Sequence, residues 1–201
     1  ASVGYLTEAA NTVGAQWVGA HPQTGGKHAG QMLAGSLKAA ILLNTEPEFD
    51  SAAGAAAAQS LGQAEMVVTL SPFKANMAFS DVLLPIAPFT ETSGSFVNAE
   101  GRLQSFHAVV KPLAETRPAW KVLRVLANLL EIPGVAFETS QDVLARATAK
   151  PLAASNAVHA DIRLVGPVSA PAVASIYQLD SIVRRAPSLQ LTADARQEVA
   201  A

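Results

Sequence analysis

The chain contains no cysteine. Disulfides, thiolate zinc sites and cysteine-ligated iron–sulfur clusters are therefore excluded within these residues. Charge is sparse as well: 15% of the 201 residues are charged and the formal net charge is −2. The longest basic runs are single pairs such as Arg184–Arg185. Nucleic-acid binders draw much of their affinity from a basic stripe that neutralises phosphates, so no nucleic-acid partner is expected. No apolar run approaches the roughly 18 residues of a membrane span, and direct membrane insertion is not expected either. The opening Ala1-Ser2-Val3-Gly4 has no basic stretch followed by an apolar core, so no signal peptide is expected there. It also lacks an initiator Met, which fits a processed chain or a fragment.

What is present is apolar. Half the residues are hydrophobic, enough for a chain of this size to bury a substantial core in one large domain, or in one domain plus an appendage. Lys38 to Asn44 is a short apolar run ending in turn residues and reads as a buried strand. Ser51 to Gln63 has the alanine content of a helix, and Glu65 to Leu70 is a second, β-branched strand. Strand, helix and strand at this spacing make a βαβ unit, which implies a parallel sheet with a right-handed crossover. Val82 to Ile86 is a third strand, and Pro85, which cannot donate to a ladder, makes it an edge strand or the end of one. Residues 87–107 carry Pro88, Gly94 and Gly101 and read as a long structured loop or a small hairpin.

Pro118 to Leu130 has the clearest helical periodicity, with Val122, Leu123, Leu126, Leu129 and Leu130 on one face and Pro118 at the first helical position. A shorter helix is expected from about Ser140 to Ala149, capped by Thr139 or Ser140. Residues 150–172 read as a linker rich in Ala, Pro and Ser. Ser175 to Arg185 reads as a last helix ended by Pro187. Shorter helices are expected within residues 5–20 and from Lys27 to Leu37.

Motifs for common chemistries fail on inspection. A phosphate-binding P-loop around Gly26-Lys27 would need Gly at position 21 and Ser or Thr at position 28, and both are His. Gly25, Gly26 and Gly30 do not make Gly-x-Gly-x-x-Gly. The histidines His21, His28, His107 and His159 are scattered and none forms His-Glu-x-x-His. No Gly-x-Ser-x-Gly elbow occurs. Glu91 and Glu100 are carboxylates of one loop, for which solvated or backbone-capping roles are commoner than acid–base work.

One long motif remains. Phe79-Ser80-Asp81-Val82-Leu83-Leu84-Pro85 runs into Thr90-Glu91-Thr92-Ser93-Gly94-Ser95-Phe96-Val97-Asn98-Ala99-Glu100-Gly101-Arg102-Leu103-Gln104. Its physics can be read directly. Asp81 stands just before a strand, where a carboxylate caps exposed amides. Gly94 and Gly101 suit positive φ in tight turns. Asn98, Glu100 and Arg102 are placed to hydrogen-bond across the loop, with an Arg–carboxylate fork as the strongest clamp available. Asp81, Glu91, Gly94, Asn98, Glu100, Gly101 and Arg102 are thus expected to hold a loop onto the sheet rather than a ligand.

The motif resembles the signature of the molybdopterin oxidoreductases. Its flanks are similar to one branch of that superfamily, the large iron–sulfur subunit of NADH:quinone oxidoreductase (complex I). These flanks are Ala40 to Pro47, Pro85 to Gly94, Val110 to Leu126, and Tyr177 to Ala186. The resemblance implies an α/β fold with a partial doubly wound parallel sheet of the molybdopterin-oxidoreductase type and a helical C-terminal extension. The implied division is residues 1–135 for the α/β domain and 136–201 for the helical extension and tail. It further implies a C-terminal scaffold region of an electron-transferring subunit, with no catalytic residue and no metal site here. No cofactor is implied in this region, and iron–sulfur clusters are implied upstream in the full subunit. In molybdenum relatives the loop after the first strand contributes to a dinucleotide site, and Asn44, Thr45 and Glu46 match it by position as vestigial candidates. Expected partners are other subunits of the complex I peripheral arm, on the cytoplasmic side of the bacterial inner membrane. The alternatives are a fragment of a molybdopterin-dependent enzyme such as formate dehydrogenase, or a free-standing nucleotide- or small-ligand-binding module. The segment 173–185 and the linker before it are candidates for docking on a neighbouring subunit, and deleting 173–201 is expected to spare the fold but weaken assembly.

Overall fold

The computed structural model describes residue 7, residues 9–152 and residues 175–199. Most of the expected linker at 150–172 lies outside the described residues. Three strands, β1 (Ala39–Leu43), β2 (Met66–Ser71) and β3 (Val82–Pro85), form one sheet in the order β1-β2-β3. The Asp81 amide donates to Val67 O at 2.9 Å and the Ile86 amide to Ser71 O at 3.2 Å. The partners advance together along both strands, so β2 and β3 run parallel. The expected α/β class with a parallel sheet is found.

Between β1 and β2 the chain forms two helices, α3 (Pro47–Asp50) and α4 (Ala55–Leu61). Pro47 sits at the first turn of α3, where a missing amide costs nothing. Gly54, at φ 54°, starts α4. Helix α4 packs against α3 and against α2 (Ala29–Leu33). Ala57 and Leu61 of α4 and Val67, Thr69 and Leu70 of β2 are buried. Full burial of an aliphatic side chain such as Leu61 or Leu70 contributes about 1.5–3 kcal/mol.

Strand β1 was expected to be buried and is not. Its one partner among the described strands is β2, and Ile41 is 56% exposed. A run apolar on both faces is the composition of an interior parallel strand; here it occupies an edge, and the missing neighbour explains the exposure.

Residues 87–107 form a single-turn 3-10 segment at Phe89–Glu91 followed by a hairpin of β4 (Gly94–Val97) and β5 (Leu103–Phe106), paired antiparallel with Gly94 opposite Phe106. Helix α1 (Thr12–Trp17) packs on β4, and the Asn11 side chain accepts from the Val97 amide at 2.8 Å. Helix α5 (Ala119–Leu129) begins one residue later than expected, because Pro118 takes the N-cap position with extended backbone. Helix α6 (Ser140–Ala147) is capped by Thr139, as its sequence indicates.

The C-terminal segment departs most from expectation. Instead of one helix from Ser175 to Arg185, the chain forms α7 (Ile176–Leu179), a 3-10 turn (Val183–Arg185), α8 (Pro187–Gln190) and α9 (Ala193–Val199). The break has a clear cause: Asp180 Oδ1 accepts from the amides of Ile182 and Val183 at 2.8 and 2.9 Å, so a side chain replaces helical carbonyls. Pro187 starts α8 rather than ending a helix.

Packing divides the chain into two compact units. One holds α1, the β4–β5 hairpin, α5 and α6; the other holds α2, β1, α3, α4 and the C-terminal helices. Each unit draws on residues from both sides of position 135. Among the described residues, no helix is long and apolar enough to cross a membrane.

Candidate functional site

In open parallel sheets, ligands are held beyond the carboxyl ends of the strands. For β1 that end is Asn44-Thr45-Glu46, the loop singled out from the sequence. Asn44 adopts φ 48°, a left-handed turn that asparagine tolerates better than most residues. It turns the chain into α3, where the Phe49 and Asp50 amides donate to the Glu46 carbonyl at 2.8 and 2.9 Å.

The loop is already filled with protein groups. Glu46 is buried, and its two carboxylate oxygens accept a fork from Arg185, Nη1 to Oε1 at 2.8 Å and Nη2 to Oε2 at 2.9 Å. Arg184 Nη2 lies 3.4 Å from Glu46 Oε1 and 3.1 Å from Asp50 Oδ1. Asp50 Oδ2 accepts from the Glu46 amide at 2.7 Å and from the Thr45 hydroxyl at 3.2 Å. The Thr45 carbonyl accepts from Asn76 Nδ2 at 2.9 Å. Two guanidiniums thus face two carboxylates. Arg184 keeps 5% of its side-chain surface exposed and Glu46 keeps 10%. The Arg184 guanidinium also lies 4.7 Å from the Phe49 ring centre, within cation–π range. Its remaining Nε is buried without a hydrogen-bond partner.

The signature-loop residues have separate tasks. Asp81 Oδ2 accepts from the Val67 amide at 2.7 Å, so it caps the start of β2. Glu91 Oε2 accepts from the Leu113 amide at 2.9 Å. Asn98 Oδ1 accepts from the amides of Glu100 and Arg102 at 3.1 and 2.9 Å and so pins the hairpin turn. Gly101 has φ 81°, the positive value its turn requires.

Two expectations differ from what is found. Gly94 is not at positive φ. It lies within β4, where an added Cβ would come 2.5 Å from Phe106 Cζ, so the glycine makes room for a ring. Glu100 and Arg102 take part through their backbone, and among the described residues no ion pair joins their side chains. The Arg–carboxylate fork does exist in this chain, but it is Arg185 on Glu46. Sequence reading missed Asp50, Arg184 and Arg185 as site residues. The available signals were the tandem Arg pair and a carboxylate at a strand's C-terminal end.

A cavity of about 350 Å³ opens beside the hairpin, where Ser95, Ser105, His107, Trp120 and Ser140 contribute to its wall.

The family model of the molybdopterin oxidoreductases matches residues 1–129. The chain belongs to the molybdopterin oxidoreductase family. Three relatives are similar over shorter stretches. A putative formate dehydrogenase of Staphylococcus aureus (strain bovine RF122) is 44% identical over 52 residues, which is 26% of this chain and 5% of that protein. The probable oxidoreductase YjgC of Bacillus subtilis is 38% identical over 69 residues, 34% of this chain and 7% of that protein. The mitochondrial 78 kDa subunit of the NADH-ubiquinone oxidoreductase of Candida albicans is 43% identical over 53 residues, 26% of this chain and 7% of that subunit. The aligned stretches therefore span 5% to 7% of the lengths of these relatives.

The family name implies a pterin cofactor, and the β1 loop is where its dinucleotide end would be sought. The residues present do not fit it. Both oxygens of Glu46 and both of Asp50 are engaged by the chain itself, as is the Thr45 hydroxyl. Asn44 is the one candidate of the three left exposed.

Proposed function

We propose that this chain is a C-terminal scaffold region of the large iron–sulfur subunit of a respiratory NADH:quinone oxidoreductase, and that it braces the subunit without carrying electrons itself. The observation that carries this reading is the commitment of Glu46 and Asp50 to Arg184 and Arg185, which leaves the strand-end loop without a free carboxylate for a cofactor. The lack of cysteine supports it, because cysteine-ligated clusters must then lie in other residues of the subunit. The similarity to the 78 kDa subunit of Candida albicans supports the complex I branch. On this reading the region binds no pterin, its partners are other subunits of the peripheral arm, and it lies on the cytoplasmic side of the bacterial inner membrane.

The test is elemental and pterin analysis of the purified protein, together with NADH oxidation by the chain alone. The expected result is no stoichiometric molybdenum or pterin and no turnover. Stoichiometric molybdenum would instead favour a part of a molybdopterin-dependent dehydrogenase, the reading that the similarity to the putative formate dehydrogenase supports.

A further inference from the structure

We propose that the loop at the end of β1 is a receptor for paired guanidinium groups, and that its built-in occupant is the chain's own C-terminal segment around Arg184 and Arg185, which straps the loop shut. The chemistry is specific to guanidinium. Glu46 presents two oxygens to one Arg185 fork at 2.8 and 2.9 Å, a planar match that an ammonium does not reproduce. The neighbouring guanidinium of Arg184 is held between Asp50 Oδ1 at 3.1 Å and the Phe49 ring at 4.7 Å.

The strap is shaped before it docks. Asp180 turns the chain through the amides of Ile182 and Val183. Gln190 Nε2 donates to the carbonyls of Tyr177 and Val183 at 3.0 and 2.9 Å, and Gln178 Nε2 donates to Gln190 Oε1 at 3.0 Å. Arg184 Nη1 also donates to the Gln178 carbonyl, and Arg185 Nη1 to the Ser181 carbonyl. These bonds hold both guanidiniums towards the loop, so less side-chain freedom is lost on docking. The same segment is the candidate for docking on a neighbouring subunit, and on this proposal its arginine pair faces Glu46 and Asp50 of its own chain instead.

The proposal deepens the scaffold reading but does not stand or fall with it. A preparation loaded with molybdenum would sink that reading, whereas the experiment here reads the strap alone. Amide hydrogen exchange on the full chain is expected to show protection at Arg184, Arg185 and Ala186, whose amides donate to Asp180, Ile182 and Val183 carbonyls. Glu46→Gln is expected to lower that protection at least about tenfold, while the β4–β5 hairpin amides stay unchanged. Arg185→Lys keeps the charge and loses the fork, and is expected to lower it by a smaller factor. As a third arm, a synthetic peptide spanning 175–191 is expected to bind the full-length Arg184→Ala/Arg185→Ala chain and not the wild type. The same peptide with both arginines replaced by alanine is expected to bind neither. Free exchange at these amides in the wild type would overturn the proposal. So would unchanged protection in Glu46→Gln, or equal binding of the two peptides. If the double variant fails to fold, the exchange arms on the wild type and Arg185→Lys still decide.

Discussion

Two loops of this molecule are pinned by opposite means. The loop after β1 is held by charge, two arginines against two acids, with Arg184 and Glu46 nearly buried and Asp50 and Arg185 partly open to water. The turn of the β4–β5 hairpin is held by a neutral side-chain oxygen, Asn98 Oδ1, and the open end of the hairpin by the fit of the Phe106 ring against Gly94. The charged device joins residues 139 positions apart in sequence, whereas the Asn98 side chain reaches two to four positions. A buried charge must find its partner wherever the chain can bring one, and it leaves a costly orphan when that partner is removed. A short polar side chain needs only the backbone beside it. The charged loop is therefore expected to be the more fragile of the two under single substitution, and the hairpin the more tolerant.

The largest expected effect is at Glu46. Glu46→Ala removes the carboxylate that both guanidiniums share, leaving Arg184 with Asp50 and Arg185 partly solvated, and should lower unfolding free energy by about 2–4 kcal/mol in urea titrations, from lost charge-assisted hydrogen bonds in a nearly buried site. A loss within about 1 kcal/mol would place the cluster with exposed ion pairs instead and erase the contrast.

The hairpin comes next. Gly94→Ala should cost about 1–3 kcal/mol, because the new methyl meets the Phe106 ring and a packed site resists added volume. Gly94→Ala combined with Phe106→Leu should recover part of that loss. A silent Gly94→Ala in thermal or urea unfolding would mean that ring clearance is not why glycine stands there. Asn98→Ala should cost about 1–2 kcal/mol for two lost hydrogen bonds. Asn98→Asp should stay near wild type, since only the oxygen is used. If the Asp variant behaved like the Ala variant, the acceptor role would be wrong.

The same contrast governs how much could be read from the sequence. Local rules found β1, β2, β3, α5 and α6 and narrowed the α6 cap to Thr139 or Ser140, because periodicity and cap chemistry lie within a few residues of the elements they specify. They also indicated a positive φ at Gly101, whereas Asp81 caps a neighbouring strand rather than the one it precedes. They failed where tertiary placement decides. The exposure of β1 depends on which strands stand beside it. The role of Gly94 depends on a ring across the hairpin rather than on its own φ. The fork could be anticipated as a type of contact but was assigned to Arg102 and Glu100, because those two share a loop. Nothing local to Glu46 names Arg185 as its partner. Similarity to a family identified the loop after β1 as a place to look, and geometry then identified what fills it.

The smallest expected effect tests charge at the surface, where neither the ion cluster nor the hairpin applies. Asp142 accepts hydrogen bonds at the start of α6, where its Oδ2 receives the amides of Thr139 and Glu138 at 2.8 and 3.0 Å. Hydrogen bonds from Thr139, amide first and then side chain, followed by the Glu138 amide, hold its carboxyl below the ordinary 3.8, against a small opposing effect of burial. A depressed folded value means that the contribution is fully present above the unfolded value and is lost as pH falls through the folded one. Helix α6 should therefore keep its cap at neutral pH and fray only in acid, at a pH below 3.8. A carboxyl titration followed by NMR should give a midpoint below that of an unstructured aspartate, and Asp142→Asn should remove the acid-dependent fraying of α6 while leaving the Thr139 cap bond in place. A midpoint at or above 3.8 would show that even the short, neutral-partnered cap fails to favour the charged form, and the distinction between buried and surface charge in this chain would lose its surface case.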